Sequence, residues 1–323
     1  MSDSPQSRYK DSVNTEARRR NVIQRETVDQ VVSALREAFA KIDKKLQDQP
    51  TDYQLWHYPQ LKKAIEAALM EFGETAGAHA SAGQARAFDA GEDLVVNPLK
   101  AAGLNIEGIF PRIDKGQLLA MQAFLTNKMM DVGHDAITRI NGQLALHIIG
   151  SQSVEDTIKG IQDVEPMARK RATTIIRTEI GRAYAVASQD RLEQAALHVP
   201  GLKKQWRRSG KIHSRRNHDL ADGQIRSVDQ PFIMGTGAVV EGQEGNGARL
   251  MFPHDPKAPA AETVNCGCIS LPYRDEWKDV MQTPGKRRFT DEEIALNPLK
   301  ADLANLDSAP LVQDIFGDQA ISG

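Results

Sequence analysis

The chain has 323 residues, 40% of them apolar, 26% charged and only 5% aromatic. This is the composition of a globular protein whose core rests on Leu, Ile, Val and Ala, long enough for one large or two modest domains. Lys and Arg number 41 against 43 Asp and Glu, so whole-chain charge directs the protein toward neither nucleic acid nor a membrane. The polar opening MSDSPQSRYKDS lacks the apolar stretch of a signal peptide, and no run of about 18 apolar residues is present to span a bilayer. The two cysteines, Cys266 and Cys268, form one C-x-C pair. That spacing strains a disulfide, so synthesis in a reducing cytoplasm is expected.

Residues 1–20 are polar and charged and are expected to be loose. From Val28 the apolar positions Val28, Val32, Leu35, Phe39, Ile42 and Leu46 alternate spacings of four and three. This is a helical seam, too short for an independent coiled coil and suited to packing in a bundle, with Pro50 and Thr51 as its stop. Leu61, Ile65, Ala68, Leu69 and Phe72 mark a second amphipathic helix. Residues 73–93, rich in Gly and Ala, read as a loop or weak helix. A long helix is predicted from Lys115 to Ile149, with Leu118, Met121, Leu125, Met129, Val132, Ala136 and Ile140 on one stripe. Ser153 with Asp156 reads as a capping box opening a short helix, and residues 167–198 give the strongest single helix.

Beyond Pro200, Gly and Pro become frequent and the apolar runs shorten. Gly237–Val240 and Ala248–Phe252 flank the Gly-rich EGQEGNG, which predicts a β-hairpin with a long tip. The expected fold class is therefore α+β: a mainly helical N-terminal half and a small mixed α/β C-terminal module with a β-hairpin and long loops. The boundaries expected are 1–110 for a helical region that docks on partners, 111–275 for the motif-bearing domain, and 276–323 for an acidic, extended tail.

Charge is uneven within this neutral chain. Residues 169–216 hold thirteen basic residues against three acidic ones. Arg169, Lys170, Arg171, Lys203, Lys204, Arg207, Arg208 and Lys211 are the candidates for contact with DNA phosphates, the alternative being a solvated face paired with the acidic tail. On the strongest helix Glu179 falls within the apolar arc of Ala172, Ile175, Ile176, Ile180, Ala183, Tyr184 and Ala187. A carboxylate there calls for a partner, and Arg215, His213, His218 or a metal are the candidates.

His213, His218, His254, Cys266 and Cys268 are zinc-ligand types. A closed site of His218, Cys266 and Cys268, completed by His254 or His213, is the metal hypothesis, against two small buried thiols and a hydrogen-bonded His. For catalysis, His218 as base, Arg215 on phosphate and Asp222 or Glu179 on a metal would make a nuclease, and Cys266 with His218 a nucleophile pair. No P-loop, G-x-S-x-G or H-E-x-x-H motif accompanies them, and Asp222-Gly223 equally makes a turn. No residue is assigned as catalytic, and a non-enzyme is expected.

Taken in order, Ile175 to Glu179, Trp206, Arg215 with His218, Asp222 with Gly223, Phe232, Pro253 with Pro256, and Asn265 to Cys268 resemble the phage Mu protein F-like head-morphogenesis family, over about residues 115–275. Glu179, Trp206, Arg215, His218, Asp222, Gly223 and Asn265 carry its structural motif. The chain departs from the family pattern at Lys211 and His213, where an acidic residue and a further Arg are usual, and at Gly267, where Arg is usual. The resemblance implies a minor head protein of the virion, present in few copies at the portal vertex or head interior after assembly in the host cytoplasm. The partners it implies are portal and major capsid proteins and phage genomic DNA, in capsid assembly and in DNA packaging or ejection. A metal-dependent nuclease and a zinc-clipped DNA-binding module are the alternatives.

Overall fold

Amphipathic helices fill the first half of the chain and short antiparallel strands the second, as the periodicity requires. This computed structural model describes residues 4–47, 58–104, 106, 115–234, 247–280 and 289–305. The helices are α1 (Pro5–Gln47), α2 (Tyr58–Ala101), α3 (Gly116–Ile148), α4 (Val154–Gln162) and α5 (Val164–Ala196). The chain divides into two compact units: one of Met1–Arg20, Phe88–Asp114 and Gly181–Gly323, the other of Asn21–Ala87 and Lys115–Ile180. The fold is α+β. Among the described residues no helix is long and apolar enough to cross a membrane.

The second unit is helical. Leu35, Phe39 and Ile42 of α1, Leu61, Ile65, Leu69 and Phe72 of α2, and Leu125, Met129, Val132 and Ile140 of α3 are buried. Each such side chain contributes about 1.5–3 kcal/mol relative to exposure. Val28, Val32 and Leu46 of the predicted seam are only half-buried, and its predicted stop at Pro50 and Thr51 lies outside the described residues. Ser153 caps α4, its hydroxyl accepting from Asp156 N at 3.1 Å.

The Gly/Ala-rich stretch 73–93 is not a loop but the interior of α2. Its small residues are contact points. A Cβ on Gly73 would lie 2.7 Å from Met130 Sδ, and one on Gly133 of α3 would lie 2.7 Å from the Leu69 carbonyl oxygen. Close helix packing outweighs the roughly 1 kcal/mol of intrinsic penalty that Gly brings to a helix.

The first unit carries the strands. β1 (Lys203–Arg207) lies between β2 (Ile225–Ser227) and β5 (Ile269–Tyr273), antiparallel to both, with Trp206 opposite Ser270. β3 (Phe232–Ile233) pairs with β4 (Arg249–Leu250); β4 lies within the second predicted hairpin strand, while β3 precedes the first. Gly237–Val240 and most of its tip lie outside the described residues. Short helices α6 (Arg216–Leu220) and α7 (Ala260–Thr263) occupy the connections. Trp206, Phe232, Met234, Leu250, Cys266 and Cys268 form one buried cluster, with the Trp206 and Phe232 rings edge to face at 5.2 Å.

Two expectations are corrected in this unit. Residues 1–20 are helical from Pro5 rather than loose. Tyr9 stacks on Trp277 at 4.0 Å and its hydroxyl donates to the Pro272 carbonyl, while Glu16 and Arg20 are buried beside it in sequence. Charged residues on the inward face hid the helical pattern. The tail is also not extended throughout: α8 (Asp291–Leu296) and α9 (Leu299–Asn305) fold within it. Thr290 and Glu293 form a reciprocal capping box, a device that satisfies two orphan donors at a helix start.

Candidate metal centre

β1 and α6 deliver the first half of the site. Trp206 on β1 is fully buried, and its ring meets His218 of α6 edge-on at 5.3 Å. His218 is only 2% exposed. Its Nδ1 lies 3.6 Å from Cys266 Sγ and 3.5 Å from Cys268 Sγ. The sulfurs come from the loop between α7 and β5, which turns through Asn265 at φ 54°. Asn tolerates this left-handed conformation better than most residues. The Cys268 amide donates to Cys266 Sγ at 3.4 Å. The three donor atoms of His218, Cys266 and Cys268 all lie within 4.8 Å of one another.

A second layer of polar groups holds them. His218 Nε2 lies 2.7 Å from Glu262 Oε2, and Asn217 Nδ2 donates to both oxygens of Glu262 at 2.9 Å. A carboxylate only accepts, so Nε2 carries the proton and Nδ1 turns toward the sulfurs. The Arg20 guanidinium donates to the Cys268 carbonyl at 2.9 Å and the Gly267 carbonyl at 2.6 Å. A hydrogen bond from Cys268 holds the Cys266 thiol well below the ordinary range despite burial, and His218 adds to the shift. Burial, together with Cys266 alongside, pushes Cys268 well above it.

A cavity of about 270 Å³ opens beside the three donors, lined also by Ser209, Lys211, His213, Ser214, Arg215 and Asn265. Lys211 Nζ donates to the Asn265 carbonyl and an Arg215 Nη to the Val264 carbonyl, both at 2.7 Å, so the rim cations also brace the cysteine loop. The Arg usual between the cysteines is Gly267 here, and a Cβ at that position would come within 2.6 Å of Ser209 Cβ.

The predicted fourth ligands stand outside the group of three. His254 is fully buried at φ 68°, and a Cβ on Gly181 would land on its ring. Among the described residues neither of its ring nitrogens has a hydrogen-bond partner, and burial lowers its pKa to about 4. His213 is exposed at the cavity rim. Asp222 accepts from the Arg208 amide at 2.9 Å, and Gly223 at φ 80° donates to the Trp206 carbonyl at 2.8 Å. These two lock the turn after α6 to β1. Glu179 is buried on α5. The carboxylate that meets His218 is Glu262, which sequence reasoning missed. Its only signal was an acidic residue one helical turn before Cys266. Arg20, far away in sequence, gave none.

The DNA-contact candidates fare unequally. Lys204 is fully buried, donating to the Met251 carbonyl at 2.7 Å, and burial lowers its pKa to about 8. Arg208 grips Glu293 at 2.5 and 3.0 Å, and Arg207 donates to Asn14 at 3.2 Å. For Lys204 and Arg208 the expectation is corrected: both are structural, because their partners lie inside the fold. Lys203 pairs with Asp275 at 3.0 Å, Arg169 with Glu165 at 3.6 Å and Arg171 with Asp135 at 3.2 Å. Lys170 and Lys211 are exposed.

Fold and site together define a helical protein with a small module built around a buried Trp, His and Cys pair. Residues 138–271 match the family described as Phage Mu protein F like protein, and this part of the chain is similar to that family. The chain is 31% identical over 153 residues to the uncharacterized protein YqbB of Bacillus subtilis (strain 168), covering 46% of each chain. It is 24% identical over 151 residues to NAD(+)--arginine ADP-ribosyltransferase EFV of Enterococcus faecalis (strain ATCC 700802 / V583), covering 47% of this chain and 28% of that protein. The chain thus spans less than half the length of these curated relatives. No solved structure matches it.

Proposed function

We propose that the chain is a phage minor head protein that acts in capsid assembly, with portal and major capsid proteins as partners and the virion head as its location. The family match over residues 138–271 carries this reading. The way the motif residues are used supports it. Trp206, Asp222, Gly223 and Asn265 serve the core and its turns, which is the work of a scaffold module. The reading includes no reaction step. The activity in the name of the Enterococcus relative belongs to a protein of which 28% is matched.

Contact with phage DNA, in packaging or ejection, rests on the exposed cations, Lys170 above all. The test of the head role is to remove the chain from its phage and examine the particles by electron microscopy. Aberrant or DNA-poor heads, restored when the chain is supplied in trans, are expected. An unchanged yield of DNA-filled infectious particles would overturn the reading.

A further inference from the structure

We propose that His218 Nδ1, Cys266 Sγ and Cys268 Sγ hold one zinc ion, with the fourth coordination position turned toward the adjacent cavity. The proposal goes beyond the head-assembly reading and does not depend on it.

The distances come first. Zinc binds sulfur and imidazole nitrogen at about 2.0–2.3 Å in tetrahedral geometry, which sets two ligands about 3.5 Å apart. The His218 nitrogen lies 3.6 and 3.5 Å from the two sulfurs, and all three atoms fall within one small sphere. Both cysteines are free and buried, so no disulfide competes for the sulfurs.

The proton on His218 points the same way. Glu262 fixes it on Nε2, leaving one lone pair on Nδ1. One lone pair accepts one thiol hydrogen, yet two sulfurs approach it at nearly equal distance. A cation among the three atoms satisfies all of them at once. A carboxylate behind a ligating imidazole is the usual second layer of zinc sites, where it orients the ring and raises its basicity. Asn217 in turn holds that carboxylate. Soft thiolates beside imidazole select zinc over magnesium or calcium.

His218, Cys266 and Cys268 all line the cavity, and His254 is not among the donors that converge there. The fourth position therefore falls to water or a small anion entering past Lys211 and Arg215. Zinc binding releases the thiol protons to solvent and ties α6 to the start of β5.

The test uses the full chain, purified without chelator or metal-affinity tag. Elemental analysis is expected to find about one zinc per chain, falling about tenfold or more in Cys266→Ser and Cys268→Ser and unchanged in His254→Ala. Because a cysteine variant can fail to fold, the wild-type chain is also loaded with cobalt(II). A thiolate-to-cobalt charge-transfer band with tetrahedral visible bands is expected, and the visible bands should move on addition of inorganic phosphate or imidazole. Absence of zinc and of the charge-transfer band would overturn the site. Cobalt bands that ignore both additives, or zinc lost in His254→Ala, would overturn the open position. Because the isolated chain is measured, this failure stands apart from any result on head assembly.

Discussion

Glu262 accepts a hydrogen bond from His218 Nε2 at 2.7 Å, and the other nitrogen of the same ring faces both cysteine sulfurs. One carboxylate thus decides which His218 atom meets the sulfurs. Glu262→Gln keeps the shape but lets an amide N–H approach Nε2, which favours the opposite tautomer. Zinc affinity, measured by competition with a chromogenic chelator, is expected to fall about 10–100-fold with the fold retained. Unchanged affinity would remove Glu262 from the centre.

The Arg208–Glu293–Lys300 cluster anchors α8 and α9 to the strand module. Glu293 meets Arg208 Nη1 at 2.5 Å and Lys300 Nζ at 2.7 Å, all with little exposed side chain. Glu293→Ala removes the nearest carboxylate from two buried cations, whose next carboxylates lie 3.8–3.9 Å away, and a loss at the low end of about 3–5 kcal/mol is expected in urea unfolding at neutral pH. Burial opposes the Glu293 charge, but hydrogen bonds from Arg208 and Lys300 outweigh it and lower its pKa from 4.5 to about 2. A depressed folded pKa means that the carboxylate lends its full stability above 4.5 and loses it as pH falls toward 2. The difference between wild type and Glu293→Gln should therefore shrink over that window. A difference constant with pH would contradict the assignment.

Gly181 is a contact point for His254, and a methyl there has no room. Gly181→Ala is expected to cost about 1–3 kcal/mol by overpacking, read as a lowered midpoint of thermal unfolding. Zinc content should stay the same, because His254 stands outside the ligand set. A stable Gly181→Ala with lost metal would reverse that placement.

If DNA is bound, the exposed cations carry the salt dependence. Lys170→Ala should reduce the salt slope by about 0.9 per lost phosphate contact, measured by fluorescence anisotropy with duplex DNA. Lys204→Met should leave the slope unchanged, since Lys204 is fully buried. A slope that falls with Lys204→Met alone would show that this strand opens to DNA.

Features that depend on short-range chemistry were legible in the sequence. The Ser153 cap relies on near spacing and forms as expected, whereas His218, Cys266 and Cys268 were grouped by residue type as zinc ligands, and the structure brings them together although about 50 residues separate the His from the cysteines. Long-range compensation was not legible. Glu16 and Arg20 broke the apolar pattern of the first helical turns, while their partners Asn97 and the Gly267–Cys268 backbone lie far along the chain. The glycines of α2 read as loop or weak helix because their value lies in what packs against them, such as Met130. Arg208 read as surface charge for the same reason, its partner Glu293 being 85 residues away.

The head-assembly role itself is tested most directly by quantitative mass spectrometry of purified, DNA-filled heads. The chain should be present in heads that have been freed of soluble protein, in amounts well below the major coat protein. Its absence from such heads, with the chain abundant in the lysate, would contradict the role.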